Sequence, residues 1–145
     1  MVKQNLNVSE NSTELEGLQA TLDKLVHHRE KSKVKGLNLH AFIYFITIRN
    51  LSGRSVTLKG RKWVLSNDDG TTTVVEGEKI VGETPVIPPG KSFSYNSYHV
   101  THLAATASGS FHGVDEYAEK IHVRLAPFRL EIPKDLEMSE ENPLS

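Results

Sequence analysis

Apolar side chains recur at every second position over most of the chain between residues 39 and 132. The clearest run lies in residues 39–51, where four large apolar side chains share one parity: Phe42, Tyr44, Ile46 and Ile48. Ile43 and Phe45 occupy the opposite parity. Alternation of this kind predicts β-strands, and a strand that is apolar on both faces is typical of the middle of a sheet.

The parity of the apolar positions changes inside two of the predicted strands. Leu58 and Trp63 both fit core positions but differ in parity, and so do Leu125 and Phe128. A slip of one residue moves every following side chain to the other face, so an inserted residue must restore the phase. Gly60 and Pro127 lie at the two changes, and both residue types mark irregular strand. The sequence therefore predicts bulges near residues 60–62 and at residues 126–127.

Turn-forming sequences separate the runs, with Asp-Gly at residues 69–70 and an Asp-Glu pair opening residues 115–118. Strands recur about every eight to twelve residues without intervening helices, which is typical of a sandwich. The predicted fold class is all-β: an immunoglobulin- or fibronectin-III-like antiparallel β-sandwich of about seven strands. The pattern divides the chain into a flexible N-terminal arm (1–17), the sandwich domain (18–133) and a disordered acidic tail (134–145).

Residues 15–26 fit two patterns. Five apolar residues have helical spacing: Leu15, Leu18, Leu22, Leu25 and Val26. Leu18, Ala20, Leu22 and Val26 also fit alternation. Periodicity taken alone favours a helix here.

Composition narrows the classes of partner. The 17 basic and 18 acidic side chains nearly cancel, whereas nucleic-acid binders usually carry a basic excess, so we expect no nucleic-acid partner. The absence of cysteine excludes disulfides and thiolate zinc sites and fits a reducing compartment. The longest apolar run is far shorter than the roughly 20 residues that span a bilayer. The expectation is a cytoplasmic protein with no membrane partner.

Seven segments occur in an order that resembles the ApaG domain family. They include F-x-Y-F-I-T-I-R-N at 42–50, G-R-K-W at 60–63 and the Asp-Gly turn at 69–70. V-E-G-x-x-I-V-G-E-x-P follows at 75–85 and P-G-K-S-F-S-Y-N-S at 89–97. G-S-F-x-G-V-D and A-P-F-R-L-E-I-P complete the series and end at Asp115 and Pro133. The resemblance covers about residues 18–133.

The resemblance implies a β-sandwich in which residues 18–27 form the first strand, so the helical interpretation is set aside. Family members occur as single-domain bacterial proteins and within larger eukaryotic proteins, including F-box adaptors and a polymerase-delta-interacting protein. The bacterial proteins carry a genetic association with cobalt and magnesium efflux. The resemblance thus implies a non-enzymatic module for protein–protein interaction, with an unidentified protein partner.

The connection predicted over residues 77–90 is one candidate binding surface. It matches the family's glycine-rich stretch at Gly77 and Gly82, but Lys79 replaces the central glycine. Prolines follow closely, so no helix can begin there. Nucleotide binding by a Rossmann-type turn requires a helix directly after the glycines, and the sequence does not predict one. The glycines are instead expected to provide positive φ. Lys79 and Glu83 keep open the alternative of an anion- or metal-binding loop.

The second candidate surface is the segment around Tyr95, Asn96, Tyr98 and His99, because tyrosine and asparagine supply the rigid amphipathic contacts that interfaces favour. The alternative is that Tyr95 belongs to the core and Tyr98 is only partly exposed. His99 and His102 are weak metal-ligand candidates, since on one strand they would face opposite sides. No catalytic signature occurs, so neither an enzyme nor a cofactor is expected. A homodimer through unpaired edge strands is a further expectation.

Overall fold

A computed structural model of the chain describes residues 11–30 and 36–134, which form nine β-strands. Their bounds are β1 Thr13–Glu14, β2 Leu18–Glu30, β3 Leu39–Asn50, β4 Val56–Asn67, β5 Thr72–Glu78, β6 Val86–Ile87, β7 Ser92–Thr101, β8 Ala105–Asp115 and β9 Lys120–Leu130. Strands β1 and β6 contain two residues each, and the other strands of the described ranges are the seven that the sequence predicts.

The strands form two sheets. One has six strands in the order β1-β9-β8-β4-β5, with β6 also paired to β4, and the other has three in the order β2-β3-β7. Pairing is antiparallel except for the short β1–β9 contact, which is parallel. Strand β3 lies in the middle of its sheet, as its apolar residues on both faces predict. The predicted all-β antiparallel sandwich is confirmed.

Both predicted bulges are present. In β4, Leu58 pairs with Gly113 and Gly60 with His112, so Lys59 is the additional residue, one position before the predicted range. The shift returns Trp63 to the core, where it is 1% exposed. In β9 the irregularity lies between the partners of Gly109 and Ala107, at residues 126–127. Each bulge restores the inward face of its strand, as the parity changes require.

Strand β2 contains a third bulge. Leu22 pairs with Ile46 and Lys24 with Phe45, so Asp23 is the additional residue. Leu22 and Leu25 consequently both pack on the core although they are three positions apart. This spacing imitates a helix, which explains the ambiguous pattern. The helical interpretation is wrong, and the strand implied by the family resemblance is confirmed.

The core lies between the sheets and is built from the inward residues of the long strands, with Trp63 near its centre. Trp63 needs the glycine opposite it, because a Cβ on Gly109 would lie 2.7 Å from the indole ring. Asn50 is a fully buried polar side chain at the end of β3. Its amide nitrogen donates to the carbonyls of Arg54 and Ile87, at 2.7 and 2.8 Å, and its oxygen accepts from Ser52. This network connects the end of β3 to β6 in the other sheet.

The predicted terminal segments lie mostly outside the described residues. Of the predicted arm 1–17, the structure describes residues 11–17, where β1 pairs with β9 and Ser12 Oγ lies 2.7 Å from His122 Nδ1. Of the tail 134–145 it describes only Lys134. Within residues 11–30 and 36–134, no helix has the length and apolarity needed to cross a membrane.

Candidate functional site

The segment 77–90 is more ordered into strands than predicted. Gly77 and Glu78 belong to β5, and Val86–Ile87 form β6, which pairs with β4. The connection between β5 and β6 is therefore shorter than the sequence suggests. The prediction of one long connection over 77–90 is wrong. Pro85 and Pro88 lie on either side of Val86–Ile87, so these two residues can still pair with β4 as a short strand.

Positive φ occurs in this segment, but not at both glycines. Gly82 has φ +80°, as predicted. Gly77 has an ordinary strand conformation, so the expectation for that residue is wrong. Its missing side chain instead makes room for Arg61, whose Nη1 would lie 2.9 Å from a Cβ at this position. Lys79 and Val81 adopt φ of 69° and 50°, a region where side chains are normally disfavoured.

The tip of the segment is a two-residue hairpin whose backbone is already hydrogen-bonded. Ile80 and Glu83 exchange both of their backbone hydrogen bonds, and the Lys79 amide donates to the carbonyl of Lys59 at 2.6 Å. Arg61 Nη1 donates to the Lys79 carbonyl at 3.0 Å. Phosphate-binding loops present free amides to the ligand, whereas three amides here are engaged within the protein. Lys79 and Glu83 remain exposed side chains of opposite charge.

Strand β7 divides the second group of candidates between its two faces. Tyr95 and His99 point into the sandwich, and His99 is buried. Asn96 and Tyr98 point outward, and Tyr98 is 62% exposed. The alternation of the strand enforces this division, since successive side chains leave opposite faces. Only Asn96 and Tyr98 of this group can contact a partner directly.

The inward pair belongs to an aromatic cluster. The His99 ring centroid lies 4.8 Å from the centroids of both Tyr44 and Trp63. Burial lowers the pKa of His99 to about 4 and raises that of Tyr95. His99 Nε2, Tyr95 Oη and Trp63 Nε1 have no hydrogen-bond partner in the described part of the chain. The alternative assignment of Tyr95 to the core fits this placement.

The histidines are distributed as single residues and pairs. His99 lies inside the sandwich, whereas His102 is exposed beyond the end of β7, so the two do not face one ion. His27 Nε2 and His40 Nδ1 lie 2.8 Å apart in another pair. Among residues 11–30 and 36–134, no group of three or more His, Asp or Glu side chains has the arrangement of a metal site.

The outward residues of β7 form part of an apolar patch on the three-stranded sheet. Cross-strand register places Val26, Ile43 and Tyr98 in one row and Ala41 and Val100 in the next. We call these five residues the outer patch. Val100 is 48% exposed, and Ile43 and Val26 are half-buried. An apolar group of this kind on a surface is typical of an interaction site.

A depression borders the outer patch. Its volume is about 450 Å³, and Phe45 lies in it beside Lys24 and Asn96. The Lys24 ammonium lies 5.6 Å from the centroid of the Phe45 ring. Beyond it, Thr47 Oγ1 contacts the Asp23 carboxylate and lies 2.8 Å from Ser94 Oγ. An apolar centre with a hydrogen-bonded polar rim is the usual composition of a protein interface.

The sequence pattern indicates Asn96 and Tyr98 but not the rest of this face. Val26, Ile43, Phe45 and Val100 have no motif of their own. The apolar residues on both faces of β3 do indicate this exposed face. The same pattern also predicts that β3 is a central strand, and that is the interpretation made from the sequence. In a sandwich of two sheets, the second apolar face of a middle strand is exposed to solvent. The sequence pattern would be the same if a third layer of structure covered that face.

Comparison with known proteins gives consistent matches. The sequence profile of the ApaG domain matches residues 30–116. The chain is 42% identical over 93 residues to Protein ApaG of Pectobacterium atrosepticum, an alignment that covers 63% of this chain and 74% of that protein.

Solved structures agree with the fold. One X-ray structure from a structural genomics programme superposes with a TM-score of 0.70 and 28% identity, covering 81% of this chain and 88% of that chain. The crystal structure of a Bordetella pertussis protein named ApaA gives a TM-score of 0.66 at 22% identity, covering 85% of this chain and 98% of that chain. The latter likeness supports the fold alone.

Proposed function

Because the chain belongs to the ApaG domain family, we propose that it is a non-enzymatic binding module whose outer patch contacts a protein partner. One observation carries the proposal: Tyr98 and Val100 are 62% and 48% exposed in one patch with Ile43. Fully burying a large apolar side chain contributes about 1.5–3 kcal/mol. Ala41 is already buried, so the driving force for association comes from Tyr98 and Val100, with smaller contributions from the half-buried Val26 and Ile43. Tyr98 is the expected anchor, since tyrosine is enriched among residues that dominate binding energy.

The position of the outer patch also favours a protein partner. Strand β7 is an edge of its sheet, with β3 as its partner in the described residues, so its free backbone groups adjoin the outer patch. A partner can add backbone hydrogen bonds at this edge while covering the apolar side chains. A second copy of the chain could use the same edge, which makes a homodimer one outcome of the test.

Cellular context forms a separate part of the proposal. We infer that the protein acts in the cytoplasm, where a chain without cysteine needs no oxidising environment. The family's association with cobalt and magnesium efflux would then arise through the partner rather than through an ion bound by this chain. Titration calorimetry with cobalt and with magnesium tests whether the chain itself binds either ion. Saturable heat at micromolar metal would contradict the inference that the association arises through the partner.

Site-specific crosslinking tests the outer patch. A photoreactive benzoylphenylalanine replaces Tyr98 in the full chain, expressed in cells of its native source. We expect a crosslinked protein adduct because this side chain lies at the proposed interface. The matched control carries the same group at Tyr117, which is 66% exposed on a turn between β8 and β9 in the other sheet.

The two positions give distinct outcomes. An adduct at position 98 that disappears in the Val100→Glu variant supports the proposal. A mass of twice the chain identifies the partner as a second copy. Adducts only at position 117, or adducts at 98 that are unaffected by Val100→Glu, would place the interface elsewhere.

A further inference from the structure

The outer face of the six-stranded sheet contains a groove that shares no lining residue with the outer patch. Its volume is about 560 Å³, and it runs across β4, β8 and β9. The lining residues are Lys62, Val64, Ser108, Gly109, Ser110, Arg124, Leu125, Ala126 and Pro127. Clefts of this size are typical of sites for small molecules.

The shape of the groove follows from the sequence of the strands. Strand β8 contributes only small residues to the floor, Ser108 to Ser110, while the flanking strands carry larger side chains. The bulge at residues 126–127 brings Ala126 and Pro127 to one wall, since the inserted residue displaces the strand from its regular path. Val64 and Lys62 form the other wall.

Two cations face each other across this floor. Lys62 pairs in register with Ser110, and Ser110 pairs with Arg124, so the three lie in one row. Two strand spacings separate the backbones of Lys62 and Arg124, about 10 Å. Long side chains on those backbones can both reach a group above the Ser110 hydroxyl.

Neither cation is neutralised within the described residues. Arg54 and Arg129, by contrast, form ion pairs with Asp115 and Asp68 at 2.9 Å each. Among the residues that the structure describes, none of those lining the groove is a carboxylate. The nearest in register is Glu76, which stands opposite Lys62 on β5, exposed and without an ion pair in the described part of the chain.

From these contacts we propose that the groove binds a small phosphomonoester, with the phosphate between Lys62 and Arg124. Arginine and lysine are the usual phosphate-binding side chains, and the hydroxyls of Ser108 and Ser110 supply further donors. The groove is larger than a phosphate group, so the remainder of the ligand lies on Val64 and Pro127. The ligand is therefore a phosphate ester of a compact apolar group. This inference is independent of the outer patch.

Titration of the full chain with phenyl phosphate, followed by amide chemical shifts, tests the proposal. We expect saturable shifts confined to residues 62–64, 108–110 and 124–127, with a dissociation constant at or below about 1 mM. Inorganic phosphate should shift the same residues more weakly because it lacks the apolar group. The variants Lys62→Gln and Arg124→Gln should each weaken binding about tenfold, since each removes a charged donor.

Controls separate this site from general attraction of anions. Lys59→Gln and Lys120→Gln remove the same charge from exposed positions outside the groove lining and should leave the dissociation constant unchanged. The proposal is overturned by an absence of shifts at about 10 mM phenyl phosphate. It is also overturned by equal losses in the control variants, by shifts centred on residues 77–83, or by tighter binding of an acidic peptide.

Discussion

At the scale of single residues, His99 has the environment that most clearly predicts a solution property. Its imidazole is packed between Tyr44 and Trp63 and its Nε2 has no partner in the described residues. Burial lowers the pKa from 6.5 to about 4. The unfolded chain therefore binds a proton between these values while the folded chain does not, and folding is disfavoured as the pH falls.

As the pH falls from 6.5 to 4, we expect His99 to lower the free energy of unfolding by about 1.4 kcal/mol per pH unit. Above pH 6.5 its full contribution to stability is present. Denaturant unfolding at several pH values measures this slope. The His99→Phe variant should have a shallower slope because phenylalanine cannot be protonated. The His102→Gln variant, altered at an exposed position, should keep the slope of the original chain. Equal slopes for all three chains would exclude His99 as the source.

At the scale of elements, the hairpin tip at residues 80–83 has a sequence that conflicts with its conformation. Val81 and Gly82 both have positive φ, the combination of a type I′ turn, in which Asn-Gly is strongly preferred. A β-branched residue is among the least suited to this region. The turn persists because Ile80 is fully buried and holds the hairpin on the core.

Replacing the misfit residue should stabilise the protein. We expect Val81→Asn to raise the free energy of unfolding by about 1 kcal/mol, since asparagine tolerates positive φ and Val81 is already 57% exposed. Thermal and denaturant unfolding provide the measurement. The matched change Val74→Asn lies in regular β5 at 51% exposure, where asparagine is disfavoured, and should not stabilise. A loss of stability in Val81→Asn would contradict the strain.

At the scale of the whole molecule, the two sheets present outer faces of different chemistry on opposite sides of one core. The three-stranded sheet carries the outer patch, and the six-stranded sheet carries the groove between Lys62 and Arg124. Within residues 11–30 and 36–134, no side chain lines both the outer patch and the groove, so substitutions on the two faces should act independently.

The double variant Tyr98→Ser/Lys62→Gln, compared with its two single variants, tests this separation. Tyr98→Ser should leave the phenyl phosphate affinity unchanged, and Lys62→Gln should leave crosslinking through a benzoylphenylalanine at position 98 unchanged. The combined effects on stability should be additive within about 0.5 kcal/mol, because the sites share no contacts. Phenyl phosphate binding that alters crosslinking at position 98 would instead indicate coupling through the core.

Much of the fold was predictable because it depends on local periodicity. The alternation in β3 and the parity changes around Lys59 and Pro127 are properties of neighbouring residues, and a sheet with a buried face translates them directly into strand and bulge. The bulge at Asp23 was not predictable in this way, since the spacing of Leu22 and Leu25 fits a helix equally well. Pairing with β3 settles that choice through long-range hydrogen bonds.

The sequence by itself determined the class of fold, the order of the strands along the chain and the family, because apolar periodicity, turn residues and ordered motifs are all written locally. Only the tertiary structure decided which apolar side chains of β3 and β7 face solvent and which cations share a groove. Lys62 and Arg124 are 62 positions apart in the chain, and the order and register of β4, β8 and β9 place them in one row across β8. Surface sites of this kind depend on register between distant strands, which no local pattern encodes.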